Sequence, residues 1–202
     1  GINGEPTNFE SVVVAHKGIL RAHIHVYGKN AHGSRPYLGH NAIDDMIKVI
    51  NRIQVLAEQI KKKRHPIIPT GGTIVVATID GGSAMNMVPD KCTIGVVRRL
   101  LPGETREDCI DDYQCILDQL KAEDPEFRGE LEVYPQFRPP LDMPTTAPII
   151  QAVQCAHKAV FGEELPMSYK DGGTDASFIT EATGMPMPIY GPGDYKKMAA
   201  LD

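Results

Sequence analysis

The sequence predicts a mixed α/β chain in which a small α+β module interrupts a second α/β domain. Two observations predict this organisation. Residues 18–137 contain strand and helix patterns in the order βαββαβ, each at the spacing expected for its type. The composition then changes at residues 138–140, and neither segment 1–15 nor segment 138–202 is expected to close into a core by itself. We therefore expect these two segments to be parts of one domain that the module divides.

The first half of the module is a strand followed by a helix. Apolar and polar side chains alternate over residues 18–27, which is typical of a half-buried strand. A polar loop leads to Asn41, whose side chain can cap a helix. Apolar residues then recur at helical spacing from Ala42 to Ile60. These residues predict one strand and one helix that share a core.

The second half of the module supplies the remaining four elements. Strands are predicted over residues 73–79 and 92–100. Thr105 and Asp108 have the spacing of a capping box and open a helix with one apolar stripe. A last strand is predicted over residues 130–137. The complete order, βαββαβ, is that of a ferredoxin-like sandwich.

The segment after the module predicts two helices and one short strand. The first helix covers residues 146–161 and ends at Gly162, and the second covers residues 175–183 and ends at Gly184. A strand is predicted over residues 187–190. This αα/β segment needs further elements to bury its apolar side chains.

Composition and charge exclude several functions. The net charge is −5, which leaves no basic surface for nucleic acid, and no apolar run is long enough to cross a membrane. No charged and apolar leader opens the chain. The four cysteines form no C-x-x-C pair, which favours reduced, partly buried thiols over disulfides or a zinc knuckle. We expect a cytoplasmic protein.

Two loop residues are candidates for chemistry. Glu5 stands between Gly4 and Pro6, where a stiff turn could hold a carboxylate for a divalent metal; the alternative is an exposed glutamate in a turn. His32 lies in a polar loop, where it could titrate or donate a hydrogen bond; the alternative is a solvated loop histidine. The residues alone leave both alternatives open.

Two glycine-containing loops could approach a ligand. The sequence GGTD at 172–175 precedes a predicted helix, where backbone N–H groups and a threonine hydroxyl can bind a carboxylate; the alternative is a plain helix cap. The sequence GPG at 191–193 could bring backbone close to a ligand or form only a turn. His23 and His25 share one face of a strand, but the sequence offers no third metal ligand near them. They are interpreted as surface or interface residues.

Eight short motifs occur in one order along nearly the whole chain: GEPT (4–7), HKG (16–18), GxxAHGSxP (28–36), GxNAI (39–43), GGxxxNxVP (81–89), RxxPGE (99–104), GGTDA (172–176) and YGPG (190–193). Each motif is weak by itself. The series resembles the zinc amidohydrolases and metallopeptidases that include acetylornithine deacetylase, succinyl-diaminopimelate desuccinylase, aminoacylase and glutamate carboxypeptidase.

The resemblance implies a fold and a function. Segments 1–15 and 138–202 correspond to an incomplete zinc-peptidase-like α/β catalytic domain, and residues 16–137 to an inserted ferredoxin-like dimerisation domain, called the lid below. The function implied is metal-dependent hydrolysis of the amide bond in N-acyl amino acids or short peptides. The cofactor implied is zinc, two ions in the complete enzyme, with cobalt as a possible substitute. The partner implied is a second copy of the chain, joined through an edge of the lid sheet and a neighbouring helix.

The resemblance also assigns residues. Glu5 matches a carboxylate ligand of one zinc ion. His32 matches a lid histidine that reaches the site of the partner subunit and stabilises the oxyanion of the tetrahedral intermediate. The remaining matches are positions that bind substrate: Asn86, Arg99, Gly173, Thr174, Tyr190 and Gly191.

The chain departs from the family pattern in its metal ligands. It contains no H-x-D motif and no glutamate pair before residue 4, and it ends before the late histidine of the family. We therefore expect the central and lid portion of a longer enzyme, which by itself holds no stoichiometric zinc and has no deacylase activity. The alternative is a non-catalytic dimerisation or binding module. RNA binding is disfavoured because aromatic residues are only 6% of the chain and its charge is negative.

Overall fold

The computed structural model describes residues 1–194. The helices and strands of this part of the chain occur in the order β1 (Val12–His16), β2 (Gly18–Tyr27), β3 (Ala31–His32), α1 (Ala42–Ile60), β4 (Thr73–Gly81), β5 (Met87–Val88), β6 (Lys91–Leu100), α2 (Arg106–Glu123), β7 (Arg128–Val133), β8 (Leu141–Asp142), α3 (Pro148–Phe161), β9 (Met167–Lys170) and α4 (Ala176–Thr183).

The lid contains one antiparallel sheet of four strands with two helices on one face. The strand order is β4-β6-β2-β7, and α1 and α2 pack against the inward side chains of β2 and β6. Alternate residues of β2 and β6 are buried, because successive side chains of a strand point to opposite faces. The predicted ferredoxin-like module is confirmed, and one face of its sheet is left without helices.

Local signals set the ends of the helices. The Asn41 side chain accepts hydrogen bonds from the backbone N–H groups of Ile43 and Asp44 at the start of α1. Thr105 and Asp108 form the predicted capping box of α2. Gly162 ends α3 in the left-handed conformation, with φ 78°, which glycine adopts without a Cβ clash.

The two outer segments of the chain share a second core, as predicted. A three-stranded sheet has the order β8-β1-β9, with β1 antiparallel to β8 and parallel to β9. Ile189 forms bridges to both Asn3 and Val13. The core below this sheet combines residues 12–14 with side chains from residues 141–189. The chain therefore leaves this unit after β1, forms the lid, and returns to it.

The structure corrects the predicted strands in three places. The last lid strand was predicted over 130–137 but is Arg128–Val133, because Pro135 has no N–H to continue the ladder. The strand predicted over 187–190 is reduced to the bridges of Ile189, since Pro186 and Pro188, which precede Ile189, have no backbone N–H to donate. Five strands were not predicted from the sequence: β1, β3, β5, β8 and β9.

The lid sheet has a near end and a far end relative to the second core. Its near end is fixed by reciprocal backbone hydrogen bonds between Ile19 and Arg138, at 2.9 and 3.1 Å. The ten residues of β2 then lead away from this junction over about 30 Å. None of the helices within residues 1–194 is long and apolar enough to cross a membrane.

Candidate functional site

Glu5 lies on a turn that is tied to the other end of the chain. The Thr7 hydroxyl and the Gly191 backbone lie 3.2–3.3 Å apart at two contacts, and the Asn8 N–H donates to the Gly193 carbonyl at 2.8 Å. A Cβ at Gly191 would lie 2.8 Å from the carbonyl oxygen of Glu5. The glycine therefore permits the close approach that fixes the turn.

The carboxylate of Glu5 faces a lysine as well as solvent. Lys170 Nζ lies 3.6 Å from Glu5 Oε2, and the Lys170 side chain is 8% exposed whereas that of Glu5 is 39% exposed. A zinc site needs three or four protein ligands. Among residues 1–194, Glu5 belongs to no group of three or more histidine, cysteine or carboxylate ligands within reach of one ion. These residues therefore do not form a closed zinc site around Glu5.

The loop at 172–175 is fixed at the junction between the lid and the second core. Arg138 donates to the Gly173 carbonyl at 2.9 Å and lies 3.4 Å from the Asp175 carboxylate. A Cβ at Gly173 would lie 2.5 Å from Arg138 Cδ. The Thr174 hydroxyl is buried and has no hydrogen-bond partner among the described residues. A buried polar group without a partner is costly, so this hydroxyl is the group in the loop that a ligand would satisfy.

His16 fixes the same loop and was given no role by the sequence analysis. Its ring is fully buried, and its Nδ1 lies 3.0 Å from the Lys17 carbonyl oxygen. The Thr174 N–H donates to His16 Nε2 at 3.3 Å. Nε2 is therefore the acceptor and Nδ1 carries the proton. Burial lowers the pKa of His16 to about 4, although the hydrogen bond to Lys17 acts in the opposite direction. The ring is therefore neutral near pH 7.

Lys17 secures the other side of this junction. Its ammonium group lies 2.8 Å from the Asp171 carboxylate and donates to the Thr70 hydroxyl and the Gly71 carbonyl. The HKG motif at 16–18 was the signal in the sequence for these contacts. The partners of Lys17 lie far along the chain, so their identity required the structure.

His32 and Asn86 lie together at the far end of the lid. Their loops are joined by β3 and β5, where His32 pairs with Met87 and the Gly33 N–H donates to the Asn86 carbonyl at 2.7 Å. The Ser34 hydroxyl lies 2.8 Å from His32 Nδ1, and the Ser34 N–H donates to the same nitrogen at 3.2 Å. Because Nδ1 accepts this hydrogen bond, Nε2 carries the proton of the neutral ring. His32 is exposed, so this N–H is a donor available to solvent or a ligand.

The two neighbouring arginines of β6 lie on opposite faces of the sheet. Arg98 is fully buried on the helix side, with its guanidinium 2.6 Å from Asp112 and 3.0 Å from Glu104. Arg99 is half-buried on the face without helices and pairs with Ile19 near the junction. Arg98 therefore has a structural role. Arg99 lies near the junction with the second core.

Tyr190 is part of the second core. Its hydroxyl lies 2.7 Å from His157 Nδ1, and its ring packs against Phe9 with centroids 5.1 Å apart. Burial raises the pKa of this phenol. The visible role of the Tyr190 side chain is therefore to pack α3 against the turn that carries Glu5.

The predicted site residues form two groups within one chain. Near the junction lie the turn of Glu5, Tyr190 and Gly191, the loop of Gly173 and Thr174, and the near end of the lid with Arg99. At the far end of the lid, about 30 Å along β2, lie His32 and Asn86. One chain therefore does not bring its lid histidine to its own Glu5.

Comparison with known proteins gives this arrangement a family. The model of a peptidase dimerisation domain, that of M20 peptidases, matches residues 14–125. Acetylornithine deacetylase of Vibrio cholerae is 31% identical over 199 residues, which cover 95% of this chain and 49% of that protein. A probable carboxypeptidase of Paracoccidioides lutzii is 36% identical over 109 residues, which are 52% of this chain and 24% of the relative.

Solved structures show the same fold. Aminopeptidase PepT of Bacillus cereus superposes with a TM-score of 0.73 at 21% identity, covering 95% of this chain and 48% of that one. An M20 family metallo-carboxypeptidase of Sulfolobus solfataricus gives a TM-score of 0.70 at 18% identity, covering 96% and 55%. The chain spans about half the length of the relatives that it matches from end to end. With its inserted dimerisation domain and the shared core of its two outer segments, the chain belongs to the M20 peptidase family.

Proposed function

We propose that this chain is the central part of a zinc-dependent hydrolase that cleaves the amide bond of N-acyl amino acids or short peptides and works as a homodimer. Acetylornithine deacetylase and carboxypeptidase, the names of its relatives, support this class of substrate. The observation that carries the proposal is His32, a histidine with an outward N–H donor at the end of the lid farthest from Glu5.

His32 is proposed as the donor to the oxyanion that forms when the amide carbonyl is attacked. A donor of this kind is effective when it is oriented before the reaction. The backbone N–H of Ser34 holds the ring with Nδ1 as acceptor, which leaves the Nε2–H for the oxyanion. Because Glu5 lies in the second core, beyond the near end of the lid, we propose that His32 serves the site of the partner subunit.

The loop at 172–175 is proposed to bind the carboxylate of the substrate. Thr174 offers a buried hydroxyl without a partner in the described part of the chain, and α4 begins directly after the loop. Arg138 adds positive charge beside Gly173 and Asp175. A backbone and hydroxyl site with a nearby guanidinium suits a carboxylate. Arg99 and Asn86 are proposed as further residues that contact the substrate.

Glu5 is proposed as one ligand of the metal centre. Since the described residues do not close a zinc site around it, the remaining ligands and the general base are proposed to lie outside this chain. Zinc is the proposed metal, with cobalt as a substitute. The isolated chain is proposed to be inactive.

The homodimer is proposed to form through β4 and the adjacent flank of α1. β4 is an edge strand, and it exposes Val75 by 54% and Ile79 by 61%. Ile47, on α1, is 51% exposed. The opposite edge, β7, carries Glu130 and Glu132, and charges on an edge strand oppose pairing with a second chain. Exposed apolar residues at an open edge favour pairing instead.

The alternative of a non-catalytic binding module is not favoured, because the relatives that match the chain from end to end carry the names of enzymes. The cytoplasm remains the proposed location. The four free cysteines are consistent with a reducing compartment.

Kinetics of the full-length protein with His32→Ala test the proposal. Loss of one oxyanion donor is worth about 3 kcal/mol, or about 100-fold in kcat, while KM changes little because the donor acts on the transition state. Ser34→Ala is the comparison variant: it removes the hydroxyl that lies 2.8 Å from His32 Nδ1 but keeps the backbone N–H, so it should lower kcat much less than His32→Ala does. Unchanged turnover in His32→Ala would remove His32 from the mechanism.

A further inference from the structure

Two histidines and a glutamate meet on the face of the lid sheet that carries no helices. His23 and His25 alternate with buried residues of β2, so both rings point to this outer face. β7 pairs with β2 so that Glu132 stands directly opposite His23 and diagonal to His25. No third ligand for the two histidines could be identified from the sequence. The strand register supplies one from a residue more than 100 positions away.

The ligand atoms of these three residues already surround one point. Glu132 Oε2 lies 3.0 Å from His25 Nε2 and 3.6 Å from His23 Nδ1, and all three atoms lie within 4.8 Å of one another. In a tetrahedral zinc site with bonds of about 2.1 Å, ligand atoms are about 3.4 Å apart. Small side-chain rotations would therefore bring the three atoms to coordination distance.

Each imidazole is oriented through its other nitrogen. His25 Nδ1 lies 2.9 Å from the Thr93 hydroxyl on β6, and His23 Nε2 lies 3.3 Å from the Tyr134 hydroxyl. Metal-binding histidines generally have such a partner, which fixes the tautomer and the ring plane. Here the partners leave Nε2 of His25 and Nδ1 of His23 as the atoms that face Glu132.

A second group of potential ligands in the described residues differs in one respect. His40, Asp45 and Asp124 also lie close together, but the Lys48 ammonium group lies 2.7 Å from Asp45 and 3.6 Å from Asp124. A lysine thus already supplies positive charge there. Around Glu132, the described residues place two histidines and no lysine or arginine in an ion pair.

We propose that His23, His25 and Glu132 form a site for a divalent transition-metal ion of the zinc class on the outer face of the lid. Two imidazoles and one carboxylate are a ligand set that suits zinc. The exposed Glu132, whose side chain is 66% accessible, leaves the remaining coordination position open to solvent or to a group from another molecule. The site lies in the lid and does not involve Glu5, so it stands apart from the metal centre of the proposed function.

Zinc and cobalt titrations of the 202-residue chain, freed of metal by chelation, test the site. We expect one ion per chain, bound by the lid residues and not by Glu5, visible by calorimetry with zinc and by visible absorption with cobalt. This ion would replace the expectation from the sequence that the chain holds no stoichiometric zinc. Zinc should also shift the ring resonances of His23 and His25 in NMR spectra. Glu132→Gln and His23→Gln should each weaken binding at least about tenfold, because changing an outer partner alone has an effect of that size.

Two variants serve as controls. His40→Gln removes a histidine from the other group, and Glu5→Gln removes the carboxylate of the proposed catalytic centre; both should bind zinc as the unmodified chain does. Circular dichroism and thermal unfolding without metal check that the folds are equal, and His23→Gln provides a second test if Glu132→Gln is unstable. The proposal would be overturned if the unmodified chain showed no saturable zinc binding, or if Glu132→Gln and His23→Gln bound zinc as tightly as the unmodified chain. Loss of binding only in Glu5→Gln would overturn it as well and would support the other site.

Discussion

His16 should make the stability of this protein depend on pH in a defined window. The ring is fully buried, its Nδ1–H donates to the Lys17 carbonyl, and its Nε2 accepts from the Thr174 N–H. Protonation would place a charge in the interior and break the bond from Thr174. Burial accordingly lowers the pKa from 6.5 to about 4, and the positive charges of Arg138 and Lys170 act in the same direction.

The sign of the effect follows from which state binds the proton first. As the pH falls below 6.5, the unfolded chain protonates His16 while the folded chain does not, so the free energy of unfolding decreases. The loss continues down to a pH of about 4 and then levels off. The full shift corresponds to about 3 kcal/mol, and about 2 kcal/mol of this should be lost by about pH 5.

Urea unfolding of the 202-residue chain and of His16→Gln at about pH 7.5 and about pH 5 measures this contribution, because other titrating groups affect both proteins alike. The unmodified chain should lose about 2 kcal/mol more than the variant between these pH values. His32→Gln, which removes an exposed histidine at the far end of the lid, should behave as the unmodified chain. Equal losses in the chain and in His16→Gln, or an NMR titration of His16 near its ordinary pKa, would refute the reasoning.

Three further substitutions test the packing and the interface. Gly191→Ala should destabilise the chain by about 1–3 kcal/mol in thermal unfolding, because the new Cβ would lie 2.8 Å from the Glu5 carbonyl oxygen. Gly4→Ala is the control and should be tolerated, since the space around its Cβ is open. Equal effects of the two substitutions would contradict this account of the turn. Arg98→Met should lower the free energy of unfolding in urea by about 3–5 kcal/mol, since it removes the guanidinium paired with Glu104 and Asp112. A decrease below about 1 kcal/mol would mean that these ion pairs do not stabilise the fold. Ile79→Asp should convert the proposed dimer to monomers, as measured by light scattering. Val160→Asp, at an exposed apolar position of α3, is the control and should leave the dimer intact. A dimer that persists in Ile79→Asp would exclude the β4 edge as the interface.

The lid could be predicted from the sequence because its signals are local. The alternation in β2, the Asn41 cap and the Thr105 capping box each involve neighbouring residues, and all three occur in the structure. Strand ends were predicted less accurately near prolines: the last lid strand was expected to continue past Pro135 but ends at Val133. β1 was missed because all five of its residues are buried, and a short apolar run has no periodicity that distinguishes a strand.

The contacts of the candidate site could not be predicted, because they join distant parts of the chain. The Thr174 N–H donates to a ring 158 positions away. Glu132 meets His23 and His25 only through the pairing of β7 with β2. The order of motifs indicated the residues around Glu5 and His32, but only the structure shows that the length of β2 separates His32 from the second core, where Glu5 lies.

The most direct test of the central claim asks whether His32 acts in the site of the partner subunit. Full-length chains with His32→Ala and with Glu5→Ala would be co-expressed with different tags, and the mixed dimers isolated. In a mixed dimer, one site combines an intact Glu5 with the intact His32 of the other subunit. Activity of about half that of the unmodified dimer is therefore expected, while each variant alone is nearly inactive. Mixed dimers without activity would contradict the account, because they would mean that each subunit uses its own His32.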